Sequence, residues 1–278
     1  MANAFVGVGE QTMENTMRRA RLAIQSVIIA MMLSGAQRLM AGEAPSATPY
    51  RPTVSNPAAL PAPGLWEFEA GFLGTRGGDS ESRSSVPVLA KYAFSENIGV
   101  LVGGDGYVRL KQVGVDSIDG GGNTLLVLKL RHSLSDRSAL GLEAGATLPT
   151  ARSGLGSDHS DYTLTGIFSG TLASTALDNV YGLDVNLGWT RFGQADPNTS
   201  RNGLAWAVSL SRALDERWTL ALEPSGNARS GTRGIAQLLG AVSYAIRRDI
   251  VVDGGVAFGV SSESIDRALF AGITVLLH

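Results

Sequence analysis

The chain of 278 residues lacks cysteine, has only three histidines and carries few charges. The absence of cysteine excludes a disulfide-stapled domain and a zinc site with thiolate ligands. Charged residues make up 17% of the chain and the formal net charge is −2, which argues against a nucleic-acid partner. No apolar run is long enough to cross a bilayer as a helix, although 44% of the residues are hydrophobic. Glycine is abundant instead, with 35 of the 278 residues, or about twice its usual share, which favours many short strands.

The first 44 residues have the pattern of a secretory signal peptide. Arg18, Arg19 and Arg21 precede the apolar segment Leu22–Gly35, and small residues follow it. A short buried helix or a membrane anchor is the alternative, but an anchor needs about 20 apolar residues. Because Met1–Thr16 would stand ahead of a signal peptide, residues 1–16 suggest a mis-assigned start, with translation beginning at Met17.

Residues 45–64 form a proline-rich segment with little periodicity, which we call the leader. It holds six of the ten prolines of the chain. Such a composition indicates an extended segment on the periplasmic side rather than a domain.

From residue 65 to residue 278 the dominant signal is a period of two. Trp66, Phe68 and Phe72 share one face of the first segment, whereas Glu67 and Glu69 share the other, as expected for a strand with one apolar and one polar side. Eleven further segments have this pattern, and the third apolar row runs from Ile98 through Val108 to Leu110. The opposite rows carry the charges, and these are the candidate lumen or constriction residues: Glu67, Glu69, Lys91, Asp105, Arg109, Lys129, Arg131, Glu143, Asp184, Glu223 and Asp253.

The connections between the segments distinguish a soluble sandwich from a membrane barrel. Short polar turns follow the even strands, at Ser95-Glu96-Asn97, Ser135-Asp136-Arg137, Leu177-Asp178-Asn179, Asp215-Glu216-Arg217 and Arg247-Arg248-Asp249. Longer loops follow the odd strands, at Gly74–Ser84, Lys111–Gly122, Pro149–Ser160, Arg191–Asn202, Ser225–Gly234 and Ser261–Arg267. This alternation is typical of outer-membrane barrels. It predicts an all-β fold, a closed antiparallel transmembrane β-barrel of about 12 strands (10–14), with short periplasmic turns and longer extracellular loops.

Aromatic residues give a second indication. Two girdles are expected at the membrane surfaces of such a barrel. The topology assigns one to the periplasmic strand ends, with Trp66, Tyr92, Phe94, Tyr181, Trp218 and Tyr244, and the other to the outer ends, with Phe72, Tyr162, Trp189, Trp206 and Phe258.

The segment Tyr50–Phe72, YRPTVSNPAALPAPGLWEFEAGF, resembles the mature start of a known bacterial family. It is similar to the outer-membrane β-barrel family named for transport in the meta-pathway of phenol degradation, which has a proline-rich leader followed by a strand with a Glu-x-Glu pair. The resemblance is sharp over some twenty residues and architectural beyond them. It implies an outer-membrane barrel that passes hydrophobic or aromatic compounds, without fixing a substrate.

The lumen charges are the only cluster with chemical content. A mixed-sign network that stiffens the wall is one interpretation, and a polar constriction that filters solutes by charge is the other. His159, in Asp158-His159-Ser160-Asp161, superficially offers the groups of a catalytic triad, but neighbouring residues rarely form one. The sequence therefore predicts no catalytic, cofactor or metal site.

A passive channel for small solutes is the function that these patterns favour. The alternatives are an outer-membrane lipid hydrolase of the deacylase type and a sealed barrel whose loops mediate surface contacts. The expected location is the outer membrane of a Gram-negative bacterium. The expected partners are outer-membrane lipid and lipopolysaccharide, the barrel-assembly machinery and a small-molecule solute.

Overall fold

A computed structural model of the chain describes residues 44–77, 81–174 and 179–278. The predicted signal peptide, apart from Ala44, and most of the predicted turn at Leu177-Asp178-Asn179 lie outside these residues. The described part of the chain contains no helix long and apolar enough to cross a membrane.

Thirteen strands make up the regular structure of the described residues. In chain order they are β1 Trp66–Arg76, β2 Ser82–Ala93, β3 Ile98–Gln112, β4 Val115–Gly120, β5 Thr124–Ser135, β6 Ser138–Leu148, β7 Asp161–Ser174, β8 Asn179–Arg191, β9 Asn202–Ala213, β10 Trp218–Arg229, β11 Ile235–Arg247, β12 Ile250–Gly259 and β13 Arg267–Leu277.

The sheet closes on itself as a barrel. Each neighbouring pair is antiparallel, and β1 pairs with β13 from Trp66↔Leu277 to Arg76↔Arg267. Twelve of the described strands form the ring, because β3 pairs with both β2 and β5 while β4 folds back on the end of β3. Closure leaves no free edge, which a sheet in lipid requires. The predicted twelve-stranded barrel is confirmed, and β4 is an additional strand within the predicted loop Lys111–Gly122.

Short and long connections separate to opposite ends of the barrel, which we call the short-turn end and the long-loop end. Among the described connections, residues 94–97, 136–137, 214–217 and 248–249 join strands at the short-turn end. At one of these turns, N–H groups of Arg217 and Trp218 donate to Asp215 Oδ1 and hold the pKa of Asp215 below its ordinary value. Two of the predicted long loops are shorter than expected, since β1 extends to Arg76 and β2 begins at Ser82, while β10 extends to Arg229 and β11 begins at Ile235.

The two faces of the wall have opposite chemistry. Leu126, Leu128 and Leu130 point outward and are 38%, 47% and 41% exposed, whereas Lys129 between them is fully buried. In water such an apolar coat is unfavourable, but in lipid it is the expected surface. Aromatic rings gather at the short-turn end, where Trp66 lies 5.0 Å from Tyr92 and Trp218 lies 4.6 Å from Tyr244, measured between ring centroids.

A bulge in β3 changes the face of the residues that follow it. Val86 pairs with Tyr107 and Pro87 with Asp105, so that Gly106 is an extra residue in β3. Partners across a sheet share a face, and one inserted residue exchanges the two faces. Val108 is therefore fully buried, and Arg109, opposite Ser84, is exposed. The predictions of an outward Val108 and a lumen-facing Arg109 are both wrong for this reason.

The bulge is testable because the chain has no cysteine. We expect Arg109→Cys to react readily with a water-soluble maleimide, and Val108→Cys to stay unmodified until the barrel is denatured. Mass spectrometry of the labelled proteins measures both rates. Equal labelling of the two folded variants would contradict the bulge, and labelling in denaturant controls for the intrinsic reactivity of each thiol.

Candidate functional site

The leader lies against the inner wall of the barrel. It is held at the short-turn end on both sides, since Ala47 N donates to Arg248 O and Gly64 N donates to Ala93 O, both at 2.8 Å. Between these points Ser55 and Ala58 are 0% exposed and Tyr50 is 3% exposed. The residues that the sequence predicted as an extended segment ahead of the barrel therefore occupy the lumen toward this end.

Lumen carboxylates accept the backbone N–H groups of the leader. The leader makes no strand pairing in this region, so its buried donors need other partners. These bonds join Thr48 to Glu67, Tyr50 and Arg51 to Glu69, and Val54 and Ser55 to Glu223. Glu223 is fully buried and accepts both backbone donors at 2.8 Å, as well as the Ser55 hydroxyl at 2.5 Å. Each of these wall carboxylates therefore accepts hydrogen bonds from the backbone of the leader.

Two buried lysines offset part of this negative charge. Lys91 Nζ lies 2.5 Å from Glu67 Oε1, also contacts Glu69 and donates to Thr48 O at 2.7 Å. Lys129 Nζ lies 2.9 Å from Glu143 Oε1 and donates to Pro57 O at 2.5 Å.

The Tyr50 ring lies between the two ammonium groups. Its centroid is 3.9 Å from Lys91 Nζ and 4.1 Å from Lys129 Nζ, within the range of cation–π attraction. The Tyr50 hydroxyl donates to Ala59 O at 2.9 Å and so ties the two halves of the leader together. One aromatic side chain of the leader therefore links both cationic centres of the wall.

The remaining contacts bring in other strands. Arg51 forms an ion pair with Asp253 at 3.2 Å. Asn56 exchanges two bonds with Asn186, donating its N–H to Oδ1 at 2.7 Å and accepting from Nδ2 at 2.9 Å. Asn56 Nδ2 also donates to the Glu143 carboxylate, at 3.0 Å to Oε2. These bonds hold the centre of the leader on β6, β8 and β12.

Ser169 connects the leader to one further predicted lumen residue. The Ala58 N–H donates to Ser169 Oγ at 2.7 Å, and the Ser169 hydroxyl donates to Asp184. Asp184 therefore orients the Ser169 hydroxyl, and Ser169 rather than Asp184 accepts the hydrogen bond from the leader.

Eight of the eleven predicted lumen residues take part in this arrangement, directly or through Ser169. Three do not. Asp105 forms an ion pair with Arg83 at 2.6 Å, and Arg109 lies on the outer face. Arg131 falls on the inward row opposite Gly141, where the described residues give its guanidinium no ion pair. In this structure the charges hold the leader rather than face an open lumen.

Sequence reasoning missed the leader side of the site. Tyr50, Arg51, Asn56 and Ser169 were not among the candidates, nor was Asn186. One available signal was that Arg51 is the only charged residue in 45–64. A single cation in an otherwise uncharged segment, ahead of a wall rich in carboxylates, indicates a partner inside the barrel.

A cavity of about 290 Å³ remains on the long-loop side of the leader. Strands β6 to β11 and the leader line it, and the residues are Val54, Asn56, Glu143, Thr165, Asn186, Gly188, Ala205, Trp206, Ala207, Ser225, Gly226, Asn227, Ile235 and Gln237. Among the described residues, no group of three or more His, Asp or Glu side chains could hold a metal ion.

The Lys91 cluster can be tested by removing its cation. In Lys91→Met, Glu67 and Glu69 stay buried without their ammonium partner, and breaking a buried pair in this way costs about 3–5 kcal/mol. We expect the free energy of unfolding to fall by this order, measured by urea titration in lipid vesicles. The matched control Lys111→Met changes an exposed lysine at the end of β3 and should have little effect. Equal stability of Lys91→Met and the wild type would contradict the assigned role.

Comparison with known proteins gives one family and several barrels of the same fold. The family described as "Putative MetA-pathway of phenol degradation" matches residues 52–277. The COG4313 outer membrane channel from Pseudomonas putida F1 is 12% identical, covering 79% of this chain and 97% of that chain with a TM-score of 0.59. The NanC porin is 9% identical, covering 76% and 98%, with a TM-score of 0.51, and the KdgM porin is 13% identical, covering 76% and 99%, with a TM-score of 0.50.

At these identities the solved structures are evidence for a shared barrel fold. Among curated proteins, no significant match is found. The family match covers most of the chain, including the last part of the leader and all twelve strands of the ring. The chain therefore belongs to the family described as "Putative MetA-pathway of phenol degradation".

Proposed function

We propose that the protein is an outer-membrane channel for the passive passage of small solutes, with the leader controlling how wide the lumen is. The observation that carries this proposal is a closed barrel with an apolar outer face whose interior is filled partly by a separate segment rather than by wall side chains alone. A wall that is complete without the leader leaves a lumen when the leader moves.

The orientation follows from the lengths of the connections. Outer-membrane barrels place short turns in the periplasm and long loops outside the cell. The short-turn end, where the leader enters and leaves, then faces the periplasm of a Gram-negative bacterium. Outer-membrane lipid covers the apolar wall, lipopolysaccharide surrounds the long loops, and the barrel-assembly machinery inserts the strands.

A sealed barrel is the second candidate, and the burial of the leader favours it. Ser55, Ala58, Glu67, Lys91 and Glu223 are all 0% exposed, so the lumen around them is closed in this structure. The difference between the candidates lies in whether the leader leaves its position.

The lipid hydrolase has no comparable support. Ser157 Oγ bonds to the backbone of His159, donating to its oxygen at 2.8 Å and accepting from its N–H at 3.2 Å. These contacts form a loop turn and do not place the imidazole on a serine hydroxyl, as a nucleophile and base require.

Conductance in planar bilayers tests the channel. We expect low conductance from the wild type and discrete openings at least several-fold larger after deletion of residues 48–60, because the deletion removes the segment that fills the lumen. Glu223→Ala should give an intermediate, more frequently open channel, since Glu223 holds two N–H groups and one hydroxyl of the leader. The control Glu263→Ala changes an exposed loop carboxylate at the long-loop end.

A cross-link separates a leader that moves from one that stays in place. In the double variant Ala58→Cys with Ser169→Cys, a disulfide would hold the leader on β7, since Ala58 N lies 2.7 Å from Ser169 Oγ in the wild type. We expect the oxidised protein to be silent and reducing agent to restore the openings. Silence of both the deletion variant and the reduced protein at all voltages would favour the sealed barrel and overturn the channel.

A further inference from the structure

The cavity on the long-loop side of the leader is lined mainly by uncharged hydrogen-bonding groups. Hydroxyls and amides of Thr165, Ser225, Asn227 and Gln237 face it from three strands, β7, β10 and β11, and Asn56 and Asn186 contribute at its floor. The charged candidates predicted from the sequence are absent from this lining except for Glu143. The open part of the lumen therefore differs chemically from the part that holds the leader.

Several of these groups have hydrogen-bonding capacity left over. Gln237 Nε2 donates to Ser225 Oγ at 3.2 Å, and the described residues give the Gln237 Oε1 atom no donor. Within the same described residues, the side chains of Asn227 and Thr165 form no hydrogen bond. Amides and hydroxyls in this state can bind a solute that both donates and accepts.

The electrostatics of the cavity disfavour anions. Glu143 is the only ionisable side chain in the lining, and Lys129 and Asn56 already occupy its carboxylate. No lysine or arginine lines the cavity to offset an incoming negative charge. An anion would have to give up its hydration beside a carboxylate, which is costly.

The cavity is reached from the long-loop end and closed at the other. An outer pocket of about 460 Å³ shares Ala205, Asn227 and Ile235 with it, so the two adjoin. Val54 and Asn56 of the leader form its opposite side. A solute entering between the long loops would therefore stop against the leader.

The remaining lining is apolar and, apart from Trp206, small. Val54, Ala205, Ala207 and Ile235 leave about 290 Å³, at the small end of the range for ligand pockets. We propose that this cavity is a binding site for small uncharged molecules that combine an apolar body with a hydroxyl or carbonyl group. The inference rests on the proposed channel function for its role in transport, but binding can be measured without transport.

Ligand titration of the full protein in detergent tests the chemical class, with benzyl alcohol, toluene and benzoate as probes. We expect saturable binding of benzyl alcohol, and affinities about tenfold lower for toluene, which leaves the amides unpaired, and for benzoate, which brings a negative charge beside Glu143. Isothermal titration calorimetry measures the affinities, and titration of empty micelles gives the contribution of partitioning into detergent.

Variants of the lining identify the site. The triple variant Thr165→Val, Asn227→Leu and Gln237→Leu should weaken benzyl alcohol binding about tenfold, because it removes the hydrogen-bonding groups. Toluene binding should not weaken, since toluene makes no hydrogen bond to these groups and no longer leaves them unpaired. The single variant Asn227→Leu should give a smaller change in the same direction and guards against misfolding of the triple variant. Gln112→Leu, an exposed glutamine that donates to Glu81, is the matched control and should bind as the wild type does.

Three outcomes decide between the proposals. Equal affinity for benzoate and benzyl alcohol, or unchanged binding in the Asn227→Leu and triple variants, would overturn the binding site. Conductance without saturable benzyl alcohol binding would overturn the site and leave the channel standing. Binding with the expected selectivity in a protein that never conducts would support the site and remove the channel.

Discussion

The interior of this barrel depends on one constraint: the buried backbone N–H groups of the leader have no strand partners and need other acceptors. A segment without strand pairing must find acceptors for its donors once it is buried. Carboxylates turned into a closed barrel face the converse problem, because water no longer solvates them. Each group supplies what the other lacks. Glu223 is an example, since it accepts hydrogen bonds from the N–H groups of Val54 and Ser55 and from the Ser55 hydroxyl. Lys91 and Lys129 then limit the net charge that this arrangement buries.

The architecture was predictable because it depends on a pattern that repeats along each strand. Alternation identified the twelve strands of the ring and placed Glu67 and Lys91 on the inner face, where the observed register sets them side by side. The bulge at Gly106 was not predictable, because apolar residues continue at alternate positions through Val108 and so conceal the inserted residue. The short β4 was missed because VDSIDG lacks an apolar row, and its pairing depends on a local turn at Gly114, whose φ is +76°. Contacts between the leader and Glu223 span about 168 residues and follow no period, so no local pattern indicates them.

The excess of glycine has a specific explanation on the inner wall. A Cβ built on Gly71 would lie 2.6 Å from the Arg51 guanidinium carbon, and one on Gly99 would lie 2.6 Å from Leu60 Cδ2. At Gly141 the same atom would lie 3.3 Å from Ala58 Cα. Glycine in a strand often marks a bend or the close approach of another backbone, and at these positions part of the space it leaves is taken by the leader. Wall and leader are therefore adapted to one another in shape as well as in hydrogen bonding.

Charged side chains and uncharged polar side chains lie in different parts of the lumen. The position of the leader determines which of them a solute meets. While the leader is bound, its backbone N–H groups and the wall lysines occupy the carboxylates. The accessible cavity is then lined by amides, hydroxyls and apolar groups. Removing the leader uncovers an excess of negative charge, namely the carboxylates of Glu67, Glu69, Glu143, Glu223 and Asp253 against the ammonium groups of Lys91 and Lys129. A lumen with that balance favours cations. The chemical preference of the barrel is thus a property of the leader's position as well as of the wall, because the same carboxylates cannot both hold the leader and face a solute.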